Sequence, residues 1–157
     1  AYARIKDEGK IGKNEFLSSA FIMCSPKDLE REEWQLDFYN TKENAITSFK
    51  VINKEIIQIN KNVEIFKEEH TNVLELKLEE VKIAFEKAKE QGELELRAKQ
   101  EDANKIIIIL QQEKEPVWNI TFLTTMFNLL NVKINAVTGE IEDRKYTSLL
   151  TFDKGSQ

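Results

Sequence analysis

Apolar and polar residues alternate in several short stretches of the chain, and each such stretch predicts a half-buried strand. Trp34, Leu36 and Phe38 alternate with Gln35, Asp37 and Tyr39, and Trp118, Ile120 and Phe122 repeat the pattern. Phe16 to Cys24 and Lys105 to Gln111 are further candidates. Within the latter, Ile106 to Ile109 is β-branched throughout and suits a strand with little solvent on either face. Thr41 to Asn44 is a polar turn leading into a strand over Ala45 to Val51, matched later by Leu129 to Ala136, and Ile56 to Phe66 adds one more alternating segment. The strand ending at Ala136 meets Val137-Thr138-Gly139. There Gly139 can take a positive φ without a Cβ penalty, so the chain turns before Glu140 and Ile141.

Helical spacing appears in one place. Leu74, Leu78, Val81, Phe85 and Ala88 step by four or three, which predicts one face of a helix, with Gly92 just past its end. By the same logic Tyr2 to Glu8 reads as the last turns of a helix capped by Gly9, so the sequence is expected to start inside a helix with native residues before Ala1.

Superposing the two tryptophans exposes an internal match: Trp34, Leu36, Phe38, Thr41 and Asn44 align at one constant offset with Trp118, Ile120, Phe122, Thr125 and Asn128. The expected fold class is therefore α+β, two tandem repeats, each a helix packed on a three-stranded antiparallel sheet. The first repeat covers residues 1–66, a polar linker residues 67–75, and the second repeat residues 76–157.

Composition narrows the chemistry. The 157 residues are 41% hydrophobic, with only five glycines and two prolines, which is a folding composition. A net charge of −5 argues against nucleic acid as partner. The longest apolar runs, Ile106 to Leu110 and Phe21 to Cys24, are far shorter than the roughly 20 residues of a membrane helix, so membrane anchoring would have to come from residues outside the sequence. Cys24 is the one cysteine, set in an apolar string as a buried hydrophobe. His70 is the one histidine, in a polar junction where a solvated loop position is expected. Neither Ser18-Ser19 nor Ser48 sits on a nucleophile elbow, and no glycine-rich phosphate loop is present. Carboxylate pairs at Asp7-Glu8, Glu32-Glu33 and Glu79-Glu80 fall on polar faces or turns. No catalytic, metal or cofactor residues are assigned, and no cofactor is expected. Trp34 and Trp118 are in phase with aliphatic residues and read as core. Asn119-Ile120-Thr121 is a glycosylation sequon, relevant only in a glycosylating compartment.

The second half resembles a PepSY domain. The resemblance rests on Leu78 to Ala88 as the helix and on Val132-Lys133-Ile134-Asn135-Ala136-Val137-Thr138-Gly139-Glu140-Ile141, similar to that family's terminal pattern, with Asn135 standing where Asp is common. It implies a helix-on-sheet fold of PepSY or cystatin type and a non-catalytic module outside the cytoplasm that binds or regulates a protein partner such as a peptidase.

Three functions are weighed. The first is a non-catalytic extracytoplasmic binding module using a sheet surface or strand edge, with Gln35, Asp37, Asn119 and Thr121 as the water-facing residues to scan. The second is a small-ligand carrier using the space between helix and sheet. The third is an enzyme with buried carboxylates, which would need a raised carboxyl pKa in a cleft.

Overall fold

The structure, a computed structural model, describes residues 1–64 and 72–150. Eight strands form one antiparallel sheet: β1 (Glu15–Cys24), β2 (Gln35–Asn40), β3 (Ala45–Ile52), β4 (Glu55–Glu64), β5 (Ala103–Gln112), β6 (Pro116–Thr124), β7 (Asn128–Asn135) and β8 (Ile141–Ser148). Their spatial order is β4-β3-β2-β1-β5-β6-β7-β8, so β1 and β5 meet in the middle. Two helices, α1 (Tyr2–Asp7) and α2 (Phe85–Ala98), precede the two runs of four strands.

This corrects the expected fold class. Two separate helix-on-three-strand repeats are not formed. Each half contributes four strands, and Phe21↔Ile109, Ile22↔Ile108 and their neighbours zip the halves into a continuous sheet. With Ala20, Ile22 and Cys24 opposite Leu110, Ile108 and Ile106, the central seam is itself part of the hydrophobic core. Burying that seam explains why the halves fuse: both strands carry large apolar residues that an exposed edge would leave in water.

The core lies on one side of the sheet. Leu17, Leu36, Phe38, Ile108, Ile120, Phe122, Leu130, Val132 and Ile134 pack under the helices, Ile5 of α1 among them. Tyr2 stacks on Phe38 at 6.3 Å, and Trp34 and Phe85 pack against Trp118 at 6.0 and 5.9 Å. Trp118 is buried as expected, and its indole N–H donates to the Ile83 carbonyl at 2.9 Å. Trp34 is half-buried at the margin, just before β2.

The helix expected from Leu74 onward starts only at Phe85. Leu76 is non-helical and buried, and donates its N–H to the Leu17 carbonyl, while Leu78–Glu80 is a 3-10 turn. Lys82 and Ile83 then both donate to the Ala136 carbonyl at 2.8 Å, which holds the chain non-helical up to Ala84. Gly92 is not a helix terminator. It sits inside α2, where a Cβ would lie 3.2 Å from two ring carbons of Phe122, so its bareness permits the close approach of helix and sheet. The left-handed residue ending α2 is Gln100, with φ of 56°.

The turn after β7 is as expected. Gly139 has φ of 83°, and Asn135 organises the loop: its Oδ1 accepts from the Val137 and Thr138 amides, while its Nδ2 donates to Glu115 and Glu142 at 3.1 and 2.7 Å. Lys67 to Thr71, with His70, lies outside the described residues.

Candidate functional site

Pairing register assigns residues to the sheet's two faces, because residues directly opposite across a ladder share a face. On the face away from the helices, Phe21 pairs with Ile109 and Met23 with Ile107, which places four apolar side chains together at the β1–β5 seam. Among the described residues no helix covers them. Met23 is 46% exposed and the other three are half-buried.

Polar networks flank this patch on both sides. Toward β2 and β3, Asp37 accepts from Ser19 at 3.1 Å, Gln35 at 2.8 Å and Ser48 at 2.6 Å. Toward β6 and β7, Asn131 donates to Asn119 at 2.5 Å and to Thr121 at 2.9 Å. Gln35, Asp37, Asn119 and Thr121 thus do share the open face, but none is an idle surface group. Asp37 is tied into the sheet by three donors, and its replacement would disturb folding as well as binding. The rim is completed by Lys50, paired with Glu32 at 2.8 Å, and Lys133, paired with Glu113 at 2.6 Å. The open face thus carries an apolar centre inside a hydrogen-bonded polar rim. Periodicity alone could have shown that Phe21, Met23, Ile107 and Ile109 fall out of phase with the buried positions. It could not show that β1 and β5 lie side by side.

The other candidates resolve into structural roles. Cys24 is buried, and burial first, then the nearby Glu32 and Asp28, raises its pKa and keeps the thiol protonated. Ser18 donates to the Asp37 carbonyl at 3.0 Å. Glu8 pairs with Arg4 and Glu80 with Lys77. Asn119 of the sequon lies within β6 and accepts a hydrogen bond from Asn131. Among the described residues no three His, Cys, Asp or Glu side chains converge as metal ligands would.

One carboxylate was not singled out by sequence. Glu101, just before β5, accepts from the Tyr146 hydroxyl at 2.5 Å, Asn128 at 2.6 Å and Thr124 at 3.1 Å, joining α2's end, the β6–β7 turn and β8. The Tyr146 hydrogen bond first, and those of Asn128 and Thr124, hold its pKa below the usual carboxylate value. A depressed folded pKa stabilises the fold above the unfolded value and is lost as pH falls through the folded one. The melting temperature is therefore expected to drop on acidification below about pH 4, and Glu101→Gln should flatten part of that drop. A thermal melt series across acid pH checks this, and identical slopes in both proteins would refute it.

No family model matches the chain, and no curated protein matches it. The PepSY resemblance thus finds no support from family comparison, and the continuous eight-stranded sheet replaces the repeat architecture expected from it. Among solved structures the fold is similar to that of a "putative lipoprotein" from Clostridium difficile 630, with a TM-score of 0.58 and 14% identity over 92% of this chain and 89% of that one. At that identity the likeness concerns the fold.

Proposed function

We propose that the chain is a non-catalytic binding module that docks a protein partner on the open face of its sheet. The observation that carries this reading is the Phe21, Met23, Ile107 and Ile109 patch, apolar, central and bounded by internally satisfied polar ladders. Their backbones are held by paired strands on both sides, so no main-chain segment has to be ordered on binding. An extracytoplasmic, envelope-associated location belongs to the same proposal. It is supported by a fold similar to that of a protein described as a "putative lipoprotein".

The test places a photo-crosslinking residue at Met23 and, as a control, at Glu79, which is exposed on a different part of the surface. A discrete adduct from position 23, absent from position 79 and abolished by Ile107→Asn, is the expected result. Met23→Lys should leave stability within about 0.5 kcal/mol of the parent, since the side chain is half in water. Equal crosslinking from both positions would sink the reading. So would substrate turnover that a single carboxylate-to-amide change removes with folding intact.

A further inference from the structure

On the helix side of the sheet a groove of about 450 Å³ runs between α2 and the segment joining β1 to β2. Its floor is apolar, made of Leu29, Trp34 and Phe85, with the last two rings edge to face at 5.2 Å. Its walls are acidic. Glu86, Glu90 and Glu93 recur at helical spacing along α2, a row about 10 Å long at 1.5 Å rise per residue, and Glu30 lines the groove with them. Lys89 is offset by Glu93 at 3.4 Å, which leaves Glu30, Glu86 and Glu90 without an ion pair among the described residues.

We propose that this groove binds an arginine-bearing peptide segment of a partner protein. Charge complementarity selects the class: an anionic or neutral polar occupant would leave the carboxylates facing one another, while a cation relieves their repulsion. The floor selects within the class. A guanidinium is planar and weakly hydrated, stacks on aromatic rings and forks onto carboxylates, whereas an ammonium is a compact, strongly hydrated point charge. The length of the acidic row matches cations spaced along a chain better than a single amine. This groove meets the rim of the open sheet face only at Glu32, which lines it and pairs with Lys50, and it does not depend on what docks on that face.

The experiment titrates a fluorescein-labelled, N-acetylated peptide of four arginine-alanine-leucine repeats into the protein, read by anisotropy at low salt. Saturable binding is expected, with the Trp34 indole N–H signal shifting in nitrogen-edited NMR spectra. The double variant Glu86→Gln/Glu90→Gln should weaken binding by roughly ten-fold, an effect that shrinks at high salt through screening. The variant Glu55→Gln/Glu64→Gln removes the same charge from edge strand β4 and should leave affinity within about two-fold. All four positions are exposed, so folding is not at risk. Equal weakening by both double variants would overturn the proposal by showing mere charge attraction. Absence of saturation would overturn it too, and so would displacement of the peptide by spermidine at equal cation concentration.

Discussion

Replacing Trp118 with alanine is expected to destabilise the protein by about 3–5 kcal/mol, the range for truncating a buried aromatic. The ring is 6% exposed and lies between Leu110 and Ile134 on the sheet, with Trp34 and Phe85 packed over it. Truncation opens a cavity that α2 cannot close, because Gly92 already sits against Phe122 farther along the same helix. It also orphans the Ile83 carbonyl, which accepts the indole N–H. Trp118→Phe separates the two effects. It keeps most of the buried area and loses the hydrogen bond, so a smaller loss of about 1–2 kcal/mol is expected. Urea titrations of both variants provide the check, and a Trp118→Ala loss under 1 kcal/mol would mean the ring is not the anchor described.

The second large effect is expected from Asn135→Asp. The amide Nδ2 now donates to two carboxylates, Glu115 and Glu142. A carboxyl group in its place puts a third negative charge between them and removes both donors. Loss of two charge-assisted hydrogen bonds and the added repulsion together should lower stability by about 2–4 kcal/mol at pH 7. The Val137 and Thr138 amides at one oxygen favour the charged form, but the two like charges within hydrogen-bond distance of the other should outweigh them and raise the new group's folded pKa above the ordinary aspartate value of about 3.9. A raised acid pKa means the folded variant binds protons more readily than the unfolded one, so its stability falls as pH rises through that window. The deficit relative to the parent should therefore narrow between neutral pH and about pH 4. A deficit that is constant across this range would place the loss in loop geometry rather than charge. Asn135 is thus the residue that the aspartate of the resembled pattern would not replace here.

The strands were legible because their signal is local. Phe16 to Cys24, Lys105 to Gln111 and the two tryptophan segments carry period-two patterns that need no partner to be recognised, and Ile56 to Phe66 announced β4 the same way. Periodicity extends the helix too far toward the N-terminus because Leu74, Leu78 and Val81 happen to share helical spacing with Phe85 and Ala88. Backbone bonds from Leu76 to Leu17, and from Lys82 and Ile83 to Ala136, decide that segment, and such bonds leave no mark in periodicity. Glycine's local preference makes Gly92 look like a stop, yet its neighbours Glu90 to Leu96 favour helix and Phe122 occupies the space a Cβ would fill. Of the open face, alternation reveals that Gln35, Asp37, Asn119 and Thr121 share one side, but not that they are half-buried and hydrogen-bonded into the sheet. The apolar patch between them arises only when β1 and β5 meet, which is a long-range event.

That meeting also sets a timetable. Cys24 pairs with Ile106 and Ser19 with Gln111, so the middle of the sheet is closed by the strands farthest apart in synthesis among their kind. At ribosomal rates of about 5–20 residues per second, β1 waits on the order of ten seconds with one edge unpaired before β5 exists. During that interval Phe21, Ile22 and Met23 line an open strand edge of the kind that recruits other chains. Refolding from denaturant should be slow for a chain of this size, because closing so long a loop precedes the contacts that reward it. A holding chaperone should raise soluble yield by covering β1 until its partner strand arrives.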